Sequence, residues 1–320
     1  MINVHIGPFP PPLGGISVYL YRLSKLERNV EFIDEKKIVG LKNIIFWAIK
    51  QIFNFNKRNY IYHSHSLYNR LIFYILSLIS IHDFSLVIHG RALIDQYNKS
   101  NKLFKLLIRK MLNKARFIQV VNSEFKQFIH NLGVQNKSIS VKFAFLPPPL
   151  EEETKIYNSY ENKLLNFLYT KKPILVANAF AIVFYKDEDL YGLDMCIELT
   201  KKLKNDFPNI GFLFALANEN KETNYLEKMK RRILGLNIKD NFYFMIGQKE
   251  LWPIFKISDL MVRATNIDGD AISIREALFF NIPVVASDVV SRPEGCFIFR
   301  NRDLGDLYRI SKKILIKKFH

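Results

Sequence analysis

The chain has 320 residues, 49% of them hydrophobic and 24% charged, which is enough to bury a large core and to form two globular domains. Its two cysteines, Cys196 and Cys296, exclude a disulfide framework and show no metal-type spacing. The net charge is +17, and residues 1–150 hold 21 Lys and Arg against 7 Asp and Glu, so the basic half suits nucleic acid, anionic lipid or a phosphorylated ligand.

The first half of the chain alternates strand and helix patterns. Apolar and alternating runs predict the strands INVHIG, NYIYHSHS, FSLVIHG, FIQVVNS and ISVKFAF. Helical spacing predicts helices in ISVYLYRLSKLE, from Leu71, in KLFKLLIRKMLNKAR and from Glu124. The loop PFPPPLGG separates the first strand from the first helix, and its prolines argue against a secretory signal. Such alternation predicts a parallel sheet with helices on both faces.

The segment LPPPLEEE, residues 146–153, combines three prolines with three acids and predicts a linker. After it, strands are predicted in PILVANAF, IGFLFAL, NFYFMIG, DLMVRA and PVVASD. Helices are predicted in GLDMCIELTKKLKNDF and NYLEKMKRRILGL, near Trp252, after Asp270 and from about Asp303. We therefore predict two Rossmann-like α/β domains, residues 1–149 and 150–320. Because ligands of open α/β sheets bind at the carboxyl ends of the strands, the cleft between the domains is the expected site.

The segment DGDAISIREALFFNIPVVASD, residues 268–288, places Asp268 and Glu276 on either side of a helix start expected near Ala271. Unpaired N–H groups and the positive end of the helix dipole favour an anionic or hydroxyl-rich ligand there. Glu276, inside the helix, is suited to accept hydrogen bonds from the vicinal hydroxyls of a ribose. The alternative is structural: Asp270 or Ser273 only caps the helix, and Glu276 is a solvated acid.

The longer run DLMVRATNIDGDAISIREALFFNIPVVASDVVSRPEG resembles the donor-binding segment of the retaining GT-B glycosyltransferases of family four, the glycosyl transferases group 1. Other segments resemble the glycine loop, the histidine strand, the linker, a C-domain helix and the nucleobase-side loop of that family: PPPLGGISVYLYRL, VIHG, FLPPPLEEE, LYGLDMCIELTKKLK and FYFMIGQKELWPIFKISDL. The resemblance covers most of the chain in the family's order. It implies a GT-B fold, an acceptor-side N-terminal domain, a donor-binding C-terminal domain, and neither metal nor other cofactor.

The resemblance also implies roles for single residues. Glu276 holds the ribose of the nucleotide, and the transferred sugar is contacted by His89 and by Asp268, which stands where Glu is usual. The remaining donor contacts implied are Gly14, Gly15, Gly247, Ala271, Ile272, Ser273 and Ile274. The structural alternatives are an ordinary turn at the two adjacent glycines and a core imidazole at residue 89. His63 and His65 lack a suitably spaced third ligand, which favours structural or acceptor-side roles over zinc.

Two cations of the family are missing from this sequence. Where the family carries Arg and Lys to neutralise the leaving diphosphate, this chain has Asn178 and either Leu190 or Tyr191. The candidate substitutes are Lys186, Arg263 and Arg292, together with the basic first half. Because stabilisation of developing charge is usually the largest contribution to catalysis, either another cation provides it or activity is weak or absent.

Two segments of the first half, LKNIIFWAIKQIFNFNKR and KLFKLLIRKMLNKAR, are basic and amphipathic. The structural interpretation is a packed helix with a solvated face. The functional one is a patch on an anionic membrane surface, where each basic residue contributes about 1 kcal/mol. The longest apolar run, residues 71–81, is shorter than the roughly 20 residues of a spanning helix. No nucleic-acid module is recognisable, so lipid is the expected partner and nucleic acid is not.

These observations predict a cytoplasmic enzyme that is peripheral on the inner face of the cell membrane. We expect it to move a hexose-type sugar from a nucleotide-diphosphate donor to a glycan or lipid-linked saccharide, in the synthesis of a bacterial surface polysaccharide or lipopolysaccharide. Two alternatives remain. The missing cations suggest a non-catalytic GT-B subunit that docks a partner enzyme at the membrane, and a GT-B sugar-nucleotide epimerase would convert the donor with no acceptor.

Overall fold

The computed structural model describes residues 1–38, 40–135, 138–143 and 145–319. The chain divides into two compact units, Met1–Leu146 (unit 1) and Pro147–His320 (unit 2). The division lies inside the Pro-rich segment, a few residues before the domain boundary expected at residue 150. Each unit contains a six-stranded sheet whose strands pair in parallel.

Unit 1 alternates strands with helices, except that two helices lie between its fourth and fifth strands. Its strands are β1 (Ile2–Gly7), β2 (Glu31–Asp34), β3 (Arg58–Tyr62), β4 (Asp83–Ile88), β5 (Ile118–Val120) and β6 (Ile139–Val141). Its helices are α1 (Gly15–Leu26), α2 (Leu41–Ile52), α3 (Leu67–Ile79), α4 (Ala92–Lys99), α5 (Lys102–Lys114) and α6 (Ser123–Asn131). The strand order is β2-β1-β3-β4-β5-β6, so the direction in which strands are added reverses between β1 and β3.

Unit 2 repeats the alternation with longer central strands. Its strands are β7 (Ile174–Ala181), β8 (Phe184–Tyr185), β9 (Glu188–Asp189), β10 (Gly211–Asn218), β11 (Phe242–Ile246), β12 (Leu260–Arg263), β13 (Val284–Ser287) and β14 (Cys296–Phe299). Its helices are α7 (Glu153–Tyr157), α8 (Asn162–Thr170), α9 (Leu193–Lys204), α10 (Thr223–Gly235), α11 (Trp252–Phe255), α12 (Ile272–Phe279) and α13 (Leu304–Phe319). The main sheet has the order β11-β10-β7-β12-β13-β14, and β8 and β9 form a separate antiparallel hairpin.

The sheet of unit 2 is buried on both faces, as its continuous apolar strands predict. Along β7, Leu175 and Ala177 belong to one core cluster, whereas Ile174 and Val176 belong to another. Because successive side chains of a strand point to opposite faces, the two clusters lie on opposite sides of the sheet. Helices α9, α10 and α13 contribute to the first cluster, and α8, α11 and α12 to the second. The predicted doubly covered parallel sheet is therefore confirmed for this unit.

Several boundaries differ from the predictions. The strand predicted in NYIYHSHS ends at Tyr62, because Ser66 begins α3 by accepting a hydrogen bond from the amide of Asn69. The strand predicted in ISVKFAF covers only Ile139–Val141, and Ala144 lies outside the described residues. The sequence patterns also missed β2, β8, β9, β14, α4, α7 and α8. The segment predicted as a linker thus leads directly into short helices.

Candidate active site

The site begins where the strand order of unit 2 reverses, between β7 and β12. Ligands of doubly wound sheets bind at this switch point, at the carboxyl ends of the strands. Asn178 lies in the second half of β7, Arg263 ends β12 and Ser287 ends the neighbouring β13. Asp268 follows β12 and precedes α12. The polar residues of the sequence motif are thus brought together at one edge of this sheet.

Asp268 is the centre of a buried ion cluster. Its Oδ1 accepts hydrogen bonds from Arg263 Nη2 at 2.9 Å and the Gly269 amide at 3.0 Å. Its Oδ2 accepts from Arg263 Nε at 2.9 Å, Arg292 Nη1 at 2.7 Å and Thr265 Oγ1 at 3.2 Å. A carboxylate has about four lone-pair sites, so these five donors saturate it. In this arrangement Asp268 organises two arginines, and the predicted contact with a sugar requires one of these bonds to exchange.

The cluster carries a net positive charge because two guanidinium groups surround one carboxylate. Burial alone would raise the pKa of the Asp268 carboxyl, but ion pairs and hydrogen bonds with Arg263 and Arg292 lower that pKa well below its usual range. Asp268 is therefore ionised at neutral pH. Arg292 is 2% exposed in its side chain and also binds Ser287 and Thr265. Its positive charge therefore contributes to the cluster from a buried position on Asp268.

Arg263 contacts Asn178, the first position at which the resembled family has a missing cation, and Tyr191, one of the two candidates for the second position. Its Nη1 donates to the main-chain oxygen of Asn178 at 3.2 Å and lies 3.4 Å from the side-chain oxygen of Asn178. Its guanidinium stacks 5.4 Å from the ring centre of Tyr191. Arg263, which ends the neighbouring strand β12, therefore provides a positive charge beside the positions where the sequence lacks the family's cations. This relationship was invisible in the sequence because 85 residues separate Asn178 from Arg263.

The start of α12 has no side-chain cap. The helix begins at Ile272 with Ala271 as its N-cap, which makes no side-chain cap hydrogen bond. Asp270 instead accepts a hydrogen bond from Arg275 Nε at 2.6 Å, and the buried Oδ2 of Asp270 has no hydrogen-bond partner among the described residues. Glu276 is buried, not solvated. The structural alternative of a capped helix with a solvated acid is therefore wrong.

The other residues predicted in unit 2 differ in exposure. Ser273 and Ile274 are buried in the first turn of α12. Gly247 follows β11 with φ +96°, which favours glycine, and a Cβ there would meet nothing within 4 Å. Lys186 is exposed in the turn of the β8–β9 hairpin and lies 5.6 Å from the Tyr185 ring centre. Of the three candidate cations, Lys186 is the one that solvent reaches freely.

The glycine loop of unit 1 precedes α1, with Gly14 as the N-cap and Gly15 as the first helical residue. Ser17 Oγ accepts a hydrogen bond from the Gly14 amide at 2.9 Å and so fixes the start of the helix. Gly14 has an extended backbone, and a Cβ there would lie 3.8 Å from its nearest neighbour, Ser17 Oγ. The fold therefore does not itself require glycine at residue 14, and the chain has open space at that point.

Three imidazoles form a hydrogen-bonded row across three adjacent strands of unit 1. His5 lies on β1, His63 directly follows β3 and His89 directly follows β4. The His5 Nδ1 to His63 Nε2 distance is 2.8 Å, and the His63 Nδ1 to His89 Nε2 distance is 3.0 Å. The ring of Tyr19 packs against His63 and His89 at centroid distances of 5.8 and 5.0 Å. We call His5, His63 and His89 the histidine row.

Burial keeps the histidine row neutral at physiological pH. It lowers the pKa of His5 to about 4, with a smaller effect from Lys142. Burial, followed by His89 and His5, lowers the pKa of His63 well below its usual value. The pKa of His89 falls to about 3, again through burial first and then through His65 and Arg70. His5 was not singled out in the sequence, since it lies 58 residues from His63.

No group of three or more His, Cys, Asp or Glu side chains in the described part of the chain is arranged to hold a metal ion. Among these residues no helix is long and apolar enough to cross a bilayer. Both cysteines are free, with Cys196 buried and Cys296 partly exposed.

Comparison with known proteins places this geometry in a class. Residues 171–297 match the model of the family described as glycosyl transferases group 1. No curated protein matches the sequence. A glycosyltransferase from Rickettsia africae ESF-5 is 13% identical, with a TM-score of 0.70 over 98% of this chain and 88% of that one. HepE from Anabaena in complex with UDP is 12% identical, with a TM-score of 0.68 over 99% of this chain and 91% of that one.

Sucrose-phosphate synthase from Thermosynechococcus elongatus is also similar, with 12% identity and a TM-score of 0.63 over 99% of this chain and 90% of that one. The fold is therefore GT-B, as the sequence resemblance implied. Together with the family match it defines the class of the protein, a glycosyltransferase. More particularly, residues 171–297 of unit 2 are similar to the glycosyl transferases group 1. A retaining mechanism and membership of family four remain predictions.

Proposed function

We propose that unit 2 binds a nucleotide-diphosphate sugar and that the protein transfers the sugar, with retention of anomeric configuration, to a glycan or lipid-linked saccharide. The observation that carries this proposal is the net positive cluster of Arg263, Asp268 and Arg292, whose central residue, Asp268, lies three residues before the N-cap of α12, a cap with no side-chain hydrogen bond. Such a site suits a diphosphate, because helix amides and guanidinium groups both favour anions. Solved structures of HepE, which has the same fold, contain UDP and UDP-glucose.

In the proposed mechanism, Arg263 replaces the cations that the sequence lacks. A leaving diphosphate gains negative charge in the transition state, and a fixed positive charge in a largely buried setting stabilises it. The cluster is preorganised because Asp268 holds both arginines through several hydrogen bonds. We assign Glu276 to the ribose hydroxyls and the first amides of α12, from Ile272 to Ile274, to the phosphates and the sugar. Positioning of the acceptor hydroxyl on the face from which the diphosphate departs contributes the rest of the rate.

We further propose that the reaction needs no bound metal, because the cluster and the helix dipole supply positive charge. His89 is assigned to the transferred sugar, as the resemblance implies. The non-catalytic and epimerase alternatives predict different outcomes in the same assay, since the first gives no turnover and the second converts the donor with no acceptor.

An exposed apolar face of unit 1 supports a membrane-surface role. Helices α2 and α3 pack together and leave between them a groove of about 220 Å³ that is lined only by aliphatic side chains. The groove residues are Ile45, Ala48, Ile49, Ile52, Ile72, Ile75, Leu76 and Ile79. Phe46 on α2 is 74% exposed and Phe55 beyond it is 91% exposed. A contiguous apolar face of this kind marks an interaction surface.

The basic residues around this apolar face indicate the type of partner that it binds. Lys42 and Lys50 lie exposed on α2, and α5, which packs on α3, exposes Leu103 and Leu106 among basic residues. Basic residues beside an exposed apolar face fit anionic lipid headgroups above acyl chains. We therefore propose that unit 1 binds the inner face of the cytoplasmic membrane, where it would meet a lipid-linked acceptor of surface polysaccharide synthesis.

The decisive experiment is a donor screen with purified protein. We expect one nucleotide-diphosphate sugar to raise the melting temperature and to support transfer to a lipid-linked acceptor, and the product anomer to match the donor by NMR. Glu276→Ala should abolish transfer, whereas Glu227→Ala, which removes a surface acid of α10, should not. EDTA should leave the rate unchanged. Absence of turnover with every donor and acceptor pair would favour the non-catalytic subunit.

A further inference from the structure

The hydrogen bonds within the histidine row restrict which nitrogen of each ring carries its proton. Three neutral imidazoles joined end to end have three protons to place, and each of the two bonds between rings uses one of them. Only two arrangements satisfy both bonds. The protons either all point from His5 toward His89 or all point from His89 toward His5. The first arrangement puts a proton on Nδ1 of His89, and the second leaves Nδ1 of His89 with a lone pair.

Charges at the two ends of the row favour the second arrangement. At one end, Nε2 of His5 lies 3.8 Å from Glu27 Oε2, and a carboxylate prefers to face an N–H. At the other end, burial, His65 and then the cation Arg70 lower the pKa of the His89 imidazole, and Arg70 donates to the main-chain oxygen of Ser64, the residue after His63. A cation prefers to face a lone pair. Lys142, which acts on His5 with the opposite sign, is exposed, as Glu27 also is, but the Glu27 carboxylate lies within 3.8 Å of His5 Nε2.

The positive charge of Arg70 acts strongly on neighbouring groups, because the side chain is buried. It is 2% exposed, and its guanidinium donates to Gln96 Oε1 at 3.2 Å and to the Ser64 main-chain oxygen at 3.0 Å. None of the described carboxylates lies within ion-pair distance of it. Burial lowers the pKa of Arg70 to about 10, so the group stays charged at neutral pH. A buried, uncompensated cation is screened little by solvent.

We propose that His63 and His5 are positioning residues that lock His89 in the tautomer with the proton on Nε2, so that Nδ1 of His89 accepts a hydrogen bond from a sugar hydroxyl. Nδ1 of His89 has no hydrogen-bond partner among the described residues, and the ring is partly exposed. The site therefore selects a ligand with a hydroxyl donor at that point and rejects a deoxy analogue. The sugar contact rests on the proposed function, whereas the tautomer does not.

The tautomer is measured directly by long-range 1H–15N correlation spectroscopy of the protein with 15N-labelled histidine at pH 7. We expect pyridine-type Nδ1 and pyrrole-type Nε2 signals for His5, His63 and His89, assigned by single His→Phe substitutions. In His63→Phe the His89 signals should become those of a mixture of tautomers. A pyrrole-type Nδ1 of His89 in the unmodified protein, or a charged ring in the row, overturns the proposal.

A kinetic comparison tests the consequence for the ligand. Because one hydrogen bond is worth about 0.5–1.5 kcal/mol, His63→Phe should lower kcat/KM by up to about tenfold. His89→Asn, whose side-chain oxygen lies near the position of Nδ1, should retain more activity than His89→Gln, and equal activity of the two contradicts the acceptor role. If no donor is turned over and the tautomer is nevertheless as expected, the proposed function fails and the histidine-row assignment stands.

Discussion

The guanidinium of Arg263 forms a two-point ion pair with Asp268, with Nε and Nη2 each 2.9 Å from a different carboxylate oxygen. Both side chains are less than one-tenth exposed. A buried pair of this geometry fixes the position of both groups, but it is costly to break because the surviving charge is left without its partner.

Replacement of Arg263 should therefore affect stability and catalysis together. We expect Arg263→Gln to lower the free energy of unfolding by about 1.5–3 kcal/mol, measured by urea denaturation, because Asp268 loses its two-point hydrogen bonds with Arg263 but keeps its pair with Arg292. Arg263→Lys keeps the charge without the two-point geometry. If Arg263 is the diphosphate cation, the lysine variant retains measurable transfer and the glutamine variant does not.

The matched control for this prediction is Arg232→Gln. Arg232 pairs with Glu198 at 2.7 Å on the surface, where its side chain is half exposed. Surface pairs contribute about 0–1 kcal/mol, so this variant should unfold almost as the parent protein does. Equal losses of stability for the two variants would show that the Asp268 cluster is not a buried pair in solution.

The histidine row should make the protein sensitive to acid below pH 6.5. In the folded state the pKa values of His5 and His89 fall to about 4 and 3, and that of His63 is also lowered. The unfolded chain, with His pKa near 6.5, therefore binds more protons between these limits, and stability falls as pH falls. Each group contributes a slope of about 1.4 kcal/mol per pH unit, so the three together approach 4 kcal/mol per pH unit.

Urea unfolding at several pH values between 7 and 4 measures this slope. His63→Phe removes one of the three groups and should reduce the slope by about one-third, whatever its effect on stability at pH 7. A free energy of unfolding that stays flat from pH 6.5 to 4.5 would mean that these imidazoles titrate equally in the folded and unfolded chain.

Alanine substitutions at two glycines should differ in their effect on stability. A Cβ at Gly14 meets only Ser17 Oγ at 3.8 Å, so Gly14→Ala should change the free energy of unfolding by less than about 0.5 kcal/mol. It should nevertheless weaken donor binding, measured as KM, because the Cβ enters space proposed for the ligand. An unchanged KM would mean that the loop forms an ordinary turn, the alternative that the sequence left open.

Gly192 provides the contrast. It has φ +68°, and a Cβ there would overlap the main-chain oxygen of Ala264. Gly192→Ala should therefore destabilise unit 2 by about 1–3 kcal/mol, seen as a lower melting temperature, because both the backbone conformation and the close contact oppose a side chain. Its effect on activity should follow its effect on stability.

The exposed face of α2 and α3 should bind anionic vesicles. We expect sedimentation with vesicles that contain phosphatidylserine, weaker binding at high salt, and little binding to purely zwitterionic vesicles. Phe46→Ser should lower the partition coefficient by tenfold or more, since burial of an aromatic side chain is worth about 1.5–3 kcal/mol.

Tyr169→Ser supplies the control for that measurement. Tyr169 lies in the last turn of α8 in unit 2. It is 91% exposed, compared with 74% for Phe46. Its loss should leave vesicle binding unchanged. A similar loss of binding in both variants would mean that exposed aromatic residues bind lipid nonspecifically and that the α2–α3 groove has no special role.

Much of the fold could be predicted because buried parallel strands such as β7 and β10 are continuous apolar runs. The hairpin of β8 and β9 could not, because its turn residues Lys186 and Asp187 both have positive φ without the usual Gly or Asn. The short α7 and α8 were hidden behind a Pro-rich segment that indicates a linker.

The main residues of the candidate site could be predicted from the sequence, but the contacts between them could not. The motif around Asp268 and Glu276 was visible, because both lie within one local segment. The second arginine on Asp268, Arg292, comes from beyond the next strand, 24 residues away, and His5 meets His63 across 58 residues. Contacts between distant segments depend on tertiary structure, which spacing along the chain does not record.

Among the described residues, each hydrophobic core is built within one unit: one cluster belongs to residues before 147, and the other two belong to residues after it. Substitutions that are far apart and share no partner usually add in their effects on the free energy of unfolding. Core substitutions in the two units should therefore combine additively, so stabilising changes can be sought in each core separately and then joined in one chain.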